Sequence, residues 1–335
     1  MKKTLLACLV LGAFSGAASA QSSIRIYGTV DGGLRNLSNV NAAGDSKLSV
    51  NSNGTYQSNR LGFEGKEDLG NGMNAHFNLE SRFQLGTGQQ VGVLFNGASY
   101  VGLGGAWGSV DVGRQFTIAF KTIVAYDPFR FKYTGIAPTI SATMGVDDDN
   151  AVQYTGTFGN VTTRVLWAAG EQAAPTTSNG AKQGAALSYL FGPANVGAAY
   201  TQKKTTAGLE TRHYTFGGGY QFGALRVVAG YANQKDQAVV GADTVNKYTW
   251  VGLQYKATPE IEVITAYYDV KKTQAPATGI LADGKKNLAM LGATYHFSKR
   301  TNLYAEIDRS KLRGNAILLT QTQQTGVSAG INHVF

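Results

Sequence analysis

Asp68-Leu69-Gly70-Asn71-Gly72-Met73-Asn74-Ala75-His76-Phe77-Asn78-Leu79-Glu80 reads as a tight turn that opens into a strand. The Gly-Asn-Gly run supplies the left-handed backbone that a short reversal needs. From Met73 on, odd positions are apolar and even positions polar, the period of a strand with one apolar face. The same alternation runs through Ile24-Arg25-Ile26-Tyr27-Gly28-Thr29-Val30-Asp31 and through Val327-Ser328-Ala329-Gly330-Ile331-Asn332. Alternation alone fits a soluble β-sandwich as well as a membrane barrel, so the rest of the chain must decide the solvent.

Outward from that turn, about 16 segments carry a strand signature: 24–35, 56–68, 73–84, 94–104, 108–116, 149–157, 161–170, 183–191, 195–203, 211–222, 224–235, 244–257, 260–271, 286–297, 301–311 and 324–335. Most are about ten residues long, the length a tilted strand needs to cross hydrocarbon. Strands of soluble proteins are more often about 5–6 residues. Asp68 to Gly72, Gly104 to Gly108, Gly159-Asn160 and Gly223-Ala224 read as tight turns. Segments 36–55, 171–182, 236–243, 272–285 and 312–323 are longer, polar and rich in Gly, Asn and Thr. Short turns on one rim and long loops on the other are expected of a bacterial outer-membrane barrel. Aromatic residues gather at strand ends: Tyr56 and Phe63, Trp107, Tyr189 and Phe191, Tyr220 and Phe222, Tyr248 and Trp250, Tyr267 and Tyr268, Tyr295 and Phe297. They are expected to form girdles at the two membrane interfaces.

The N-terminus is an export signal by its layout. Lys2 and Lys3 are a positive start, Leu5 to Phe14 a short apolar stretch, and Ala18-Ser19-Ala20 a small-residue cleavage site. The apolar stretch is too short for a membrane helix, which needs roughly 20 residues. Cys8 lies too close to the start to mark a lipoprotein. Residues 1–20 are therefore expected to be a signal peptide and 21–335 a single barrel domain. Cleavage removes the only cysteine, which excludes disulfides from the mature chain, and lowers the formal charge from +9 to +7 because Lys2 and Lys3 leave with no acid. No run of Lys and Arg exceeds two residues and the basic residues are scattered among apolar ones, unlike the clustered face of a nucleic-acid binder. With 43 Gly and only 6 Pro in 335 residues, beside 17 Tyr and 15 Phe, the composition is that of unbroken strands turned by glycine. No apolar run after residue 20 approaches helical spanning length, so a membrane-spanning chain must be a barrel.

Catalytic patterns are hard to find. His76, His213, His296 and His333 are widely spread, and no pair has metal-ligand spacing. There is no G-x-S-x-G elbow, and Gly217-Gly218-Gly219 sits inside a strand without a following helix. Asp147-Asp148-Asp149-Asn150 has the acid density of a calcium loop but lacks its Gly and distal Glu. No enzyme activity, metal or cofactor is expected. The alternative is an outer-membrane barrel enzyme of lipase or protease type, which needs a Ser or Asp beside a His on the outer face. A third reading, an adhesin or soluble all-β domain, does not suit the terminal Phe335.

Ser58-Asn59-Arg60-Leu61-Gly62-Phe63-Glu64-Gly65-Lys66-Glu67-Asp68-Leu69-Gly70-Asn71-Gly72 closely resembles the second strand and turn of general porins of Gram-negative bacteria, in their β-proteobacterial branch. Ile26 to Asp31, Tyr100-Val101-Gly102-Leu103-Gly104 and Gly108 through Gly113-Arg114-Gln115 match the same family. The ending in Phe335, with Val327, Ala329, Ile331 and His333 at alternate positions before it, resembles the C-terminal signal read by the barrel-assembly machinery. The likeness runs over the whole chain.

The resemblance implies a 16-stranded antiparallel transmembrane barrel, a homotrimer, and a third loop of about 30 residues after Gln115 folded into the lumen. It implies a water-filled pore for ions and small hydrophilic solutes, set among outer-membrane lipid and lipopolysaccharide, with no nucleic-acid partner. By motif, Arg60 and Arg114 take positions of the family's basic constriction wall. Strand parity adds Arg25 and Arg82. Asp127 and the Asp147-Asp148-Asp149 trio, Asp148 among them, are the acidic candidates on the facing loop. Relatives often carry Arg where this chain has Gly97, and a basic residue where it has the three aspartates. Both changes remove positive charge, so the expected selectivity is weak, leaning slightly to anions.

Overall fold

A computed structural model describes residues 23–50, 54–133, 137–273, 283–317 and 320–335; the expected signal peptide lies outside them. In chain order the strands are β1 (Ser23–Leu37), β2 (Lys47–Val50), β3 (Arg60–Gly70), β4 (Met73–Arg82), β5 (Ala98–Gly105) and β6 (Gly108–Phe116). Two short helices follow, α1 (Ile118–Ile123) and α2 (Ala137–Ser141). The chain continues with β7 (Asp147–Phe158), β8 (Val161–Ala168), β9 (Lys182–Phe191), β10 (Ala194–Lys204), β11 (Glu210–Phe222) and β12 (Leu225–Asp236). It ends with β13 (Thr244–Lys256), β14 (Ile261–Thr273), β15 (Gly284–His296), β16 (Thr301–Gly314) and β17 (Gln323–Val334).

Each long strand pairs antiparallel with its neighbour in sequence, and β17 returns to β1 from Thr29↔Val334 to Leu37↔Gly326. The result is a closed 16-stranded barrel, with β2 as a short extra strand on the outer half of β1. Closure is what makes the fold tolerable in lipid, because an open edge would leave backbone groups unpaired at several kcal/mol each, on the order of the transfer cost of a bare amide. The last pairing is made by the last residue: Phe335 N–H donates to Gly28 O and Gly28 N–H donates to Phe335 O, both at 3.1 Å.

Alternation decides which way each side chain points. On β16, Leu303 and Ile307 face outward while Asn302, Tyr304, Glu306 and Asp308 are buried inside. Ile24 and Ile26, Leu61 and Phe63, Val101 and Leu103, and Val327 and Ile331 continue the outward apolar rows. Trp107, Tyr189, Phe191, Tyr220, Phe222, Tyr267, Tyr295 and Phe297 are exposed on the outside, as girdle residues should be. Tyr56, Tyr248, Trp250 and Tyr268 are not: they are buried inside the barrel, where they form an apolar bed with Leu288, Met290 and Tyr304.

Two strands start later than their sequence suggests. The second barrel strand begins at Arg60 and not at 56, because residues 54–59 fold inward beneath Asp31. Asp31 Oδ1 accepts from Thr55 N–H (2.6 Å), Tyr56 N–H (3.1 Å) and Tyr304 Oη–H (2.9 Å). Gly54 makes that turn at φ +86°, with no room for a Cβ, which would sit 1.8 Å from Gln57 O. The fourth begins at Ala98 and not at 94, since the Asn96 amide closes the preceding loop, accepting from Arg82 N–H and donating to Val91 O.

Residues 117–133 and 137–146, between β6 and β7, turn into the barrel and line the wall opposite β3 and β4. Thr117 caps α1 by accepting from Phe120 N–H at 3.1 Å. The helix buries Ile118 against Leu166 and against Ala151, Ala168, Ala186 and Ala199, four small inward side chains that leave room for it. Farther on, Tyr126 stacks on Trp250 with ring centroids 5.9 Å apart, and Trp250 Nε1–H donates to Tyr126 O at 2.9 Å. Tyr133 packs edge-on to Tyr56 at 4.8 Å, and Tyr56 stacks on Tyr304 at 5.0 Å.

Deleting Phe335 removes both closing hydrogen bonds and is expected to lower sharply the fraction of folded, heat-modifiable protein in membranes. Unchanged levels would show that closure does not need the terminal residue.

Candidate functional site

The inserted loop narrows the lumen against the wall of β3, β4 and β6, and the charged side chains gather there. Leu61 and Phe63 take the lipid side of β3, so Arg60 faces the lumen, directly across the ladder from Arg82 of β4. The two guanidinium groups share one carboxylate, Glu80, at 3.6 Å from Arg60 Nε and 3.8 Å from Arg82 Nε. Arg82 also clamps Asp147 through two hydrogen bonds of 2.8 and 3.2 Å, and its guanidinium lies 5.6 Å over the Phe116 ring. Arg114 reaches the same Asp147 at 3.3 Å, pairs with Asp149, and donates to Asn96 O at 2.8 Å. Three arginines thus meet three carboxylates, Glu80, Asp147 and Asp149, and their formal charge cancels. Arg60 is the least engaged: its nearest carboxylate is 3.6 Å away, and its Nε has no hydrogen-bond partner among the described residues.

Three expected site residues lie elsewhere. Arg25 has the inward parity assigned to it but sits four residues down the ladder from Arg60, on the order of 13 Å at ~3.3 Å per residue. There it is 66% exposed and paired with Glu64 at 2.7 Å, near the short-turn rim. Asp148 does not meet the arginines; it is buried against Lys182 at 2.6 Å. The Asn150 backbone (φ +52°) and the register shift between Gly113 and Gln115 slip the inward parity set by Ala151 and Gln153, so Asp148 lies opposite the buried Gln115 while Asp147 and Asp149 go together to Arg114. Asp127 does not line the aperture either. It is 1% exposed, beneath the loop, where it accepts from Phe131 N–H (2.8 Å) and Tyr268 Oη–H (3.3 Å).

What the loop presents to the lumen is aromatic and basic. Phe116, Phe120 and Phe131 stack in sequence with centroids 4.6 and 4.4 Å apart. Arg130 is held by Gln254 Oε1 at 2.9 Å, and Lys132 Nζ donates to Tyr56 Oη at 2.9 Å while lying over its ring. Arg130 and Phe131 both have left-handed backbones, φ +52° and +58°, a costly pair for residues with side chains. The Asp127 carboxylate bonded to Phe131 N–H holds that turn.

Sequence reading missed Glu80 although its parity was legible, since the even positions of β4 all face inward. At Gly97 a Cβ would lie 2.4 Å from Glu80 Oε1, so the carboxylate would have to shift to admit a side chain there. A second charged group, toward the long-loop rim, was also missed. Arg35 bonds Asp308 at 2.6 Å and Glu306 at 3.3 Å, with Ser328 at 2.8 Å. No group of three or more potential metal ligands occurs among the described residues.

Burial pushes the Asp127 carboxyl up to about 6. The folded protein therefore holds this proton more tightly than a free carboxyl does, and the resulting stabilisation of the packed loop is full below the ordinary value of 3.8 and lost as pH rises through about 6. Asp127→Asn keeps an acceptor for Phe131 N–H without a charge and is expected to abolish any change in open-channel noise between about pH 4 and pH 7. Asp127→Ala leaves that N–H unpaired at a cost of roughly 1–3 kcal/mol and is expected to raise the noise at every pH. Equal single-channel noise in all three proteins would mean that the loop does not depend on this contact.

Comparison with known proteins agrees with this architecture. An outer membrane porin protein of Bordetella pertussis is 31% identical over 398 residues, covering 100% of both chains. Outer membrane porin protein 32 of Delftia acidovorans is 31% identical over 365 residues, again covering 100% of both. Among solved structures, an anion-selective porin from Comamonas acidovorans superposes with a TM-score of 0.79 at 26% identity, covering 94% of this chain and 100% of that one. Residues 7–315 match the profile of the Gram-negative porins. The chain belongs to that family: it is an outer-membrane channel, not an enzyme.

Proposed function

We propose that the channel passes ions and small hydrophilic solutes by passive diffusion, with a weak preference for anions set chiefly at Arg60. The observation that carries this reading is the asymmetry of pairing in the wall cluster. Arg82 and Arg114 are engaged by Asp147 and Asp149, while Arg60 has only Glu80 at 3.6 Å and keeps 28% of its side chain exposed. On the facing loop, Asp127 is buried, and the open charges are Arg130 and Lys132. The wall cluster is neutral overall but leaves Arg60 the least paired of its charges, and the loop adds Arg130 and Lys132, so the aperture leans basic only slightly, in contrast to a field between wall arginines and loop acids. The related Comamonas porin is described as anion-selective, which supports the same direction in this chain.

The same reading extends to export, assembly and the outer surface. Residues 1–20 direct export and are cleaved, and Phe335 with its alternating row is read by the barrel-assembly machinery. The barrel assembles as a homotrimer. Lys204, Arg212, Lys235, Lys247 and Lys271 fall on the outward parity of β10 to β14 at the long-loop rim. They suit the phosphates of lipopolysaccharide above the lipid-facing Tyr214 and Phe216.

Two unit charges about 8 Å apart interact by roughly 0.5 kcal/mol in bulk water and roughly 2 kcal/mol at an effective dielectric of 20. One arginine therefore biases passing ions a few-fold, not absolutely. Arg60→Glu is expected to move the zero-current potential in a salt gradient toward cations, most clearly at about 0.01 M salt, where screening is least. A potential that stays put would remove Arg60 from the constriction.

A further inference from the structure

Below the inserted loop, on the short-turn side, the lumen wall holds a cavity of about 270 Å³. Its lining includes Arg130 from the loop, Arg226 near the start of β12 and Lys256 at the end of β13, with Asn195, Gln221 and Glu262. Leu225 and Tyr255 take the outward parity next to them, so Arg226 and Lys256 point into the barrel. Three cations face a single carboxylate, Glu262, which is 3.7 Å from Arg130. The cavity therefore carries an excess of two positive charges, unlike the wall cluster, where charges cancel.

Two of the cations are fixed in place. Arg226 Nη2 donates to Ala125 O of the loop at 2.8 Å and to Asn195 Oδ1 at 2.6 Å. Arg130 is aimed here by the left-handed turn that Asp127 holds, and donates to Gln254 Oε1 at 2.9 Å. These bonds go to neutral oxygens, so the one counter-charge in the cavity is Glu262, 3.7 Å from Arg130. The third cation is loose: the Lys256 side chain is exposed and makes no hydrogen bond or ion pair among the described residues. Guanidinium forks bind carboxylate and phosphate oxygens in pairs, and an ammonium adds a mobile point charge. At ~30 Å³ per water, the space admits a small oxyanion together with part of its hydration shell.

We propose that Arg130, Arg226 and Lys256 form a second anion subsite, on the periplasmic side of the constriction, that receives small carboxylate- or phosphate-bearing solutes. It rests on the anion-leaning reading of the pore and adds a local binding step to it. A solute leaving Arg60 toward the short turns would next meet this excess of positive charge. The subsite offers it a second set of donors, on the same loop that forms the constriction.

The test is block of chloride current through the purified trimer in planar bilayers, with succinate added at millimolar concentration to the short-turn side. Wild-type current is expected to fall with a definite half-blocking concentration, and the neutral diamide of succinate is expected to leave it unchanged. Lys256→Gln and Arg226→Gln are each expected to raise the half-blocking concentration about five- to tenfold, while shifting the zero-current potential in KCl less than Arg60→Glu does. Arg226 also ties the loop to the wall, so the Lys256 variant is decisive, its side chain supporting nothing else. Block by succinate that is absent, or unchanged in Lys256→Gln, overturns the subsite while leaving a chloride-leaning zero-current potential intact. A cation-leaning wild-type potential overturns the subsite together with the reading beneath it.

Discussion

The pairing of β1 with β17 is the constraint on which everything else depends. Hydrocarbon offers no partner to a free N–H or C=O, so the first and last strands have to meet along their length. That requirement places Phe335 against Gly28, and the pleat of the closed wall sets lipid-facing and lumen-facing residues in alternation. Within the closed wall the inward row can be polar, charged or apolar, and the barrel uses all three in different sectors.

The aromatic sector holds the loop. Trp250, Tyr268, Leu288, Met290 and Tyr304 give the inner wall an apolar bed that a simple aqueous tube would not need, and the inserted loop buries Ile123, Tyr126 and Phe129 on it. Burying a large aromatic side chain is worth several kcal/mol, on the order of the 3–5 lost when Phe or Trp is cut back to Ala. Asp127 adds a directional contact, tying the loop turn to Tyr268 on the wall. The geometry of the aperture thus comes from packing on the side where no ion passes. The charged sector on β3, β4 and β6 then meets a loop face whose position is already set.

Alternation made the barrel legible in the sequence, because a period of two assigns every strand residue to one of two sides. It also gave the face of Arg60, through Leu61 and Phe63, and that of Arg82. It could not give height, and so Arg25 was grouped with residues roughly four rungs away from it on the ladder. Nor does it survive a bulge: at Asn150 the parity slips, and Asp148 goes to Lys182 while Asp147 and Asp149 share Arg114. Asp127 lies in a loop with no period at all, where an acid beside aromatic residues reads equally as a pore charge or a buried anchor. Tyr248, Trp250 and Tyr268 went to the girdles by their nearness to strand ends, although the outward parity of Val251 and Tyr267 already turned them inward.

The electrostatic character of the pore follows from which charges are left over after pairing. Glu80, Asp147 and Asp149 are taken up by the wall arginines, and Asp127 by the loop itself, whereas Arg60, Arg130 and Lys132 stay in reach of passing ions. The balance is close, so the preference should be small and should depend on screening. The zero-current potential of the wild-type channel across a tenfold KCl gradient, measured from about 1 M down to about 0.01 M salt, tests this most directly. The account predicts a potential of the sign carried by chloride that grows as salt is lowered. A potential of the sign carried by potassium at low salt would contradict it.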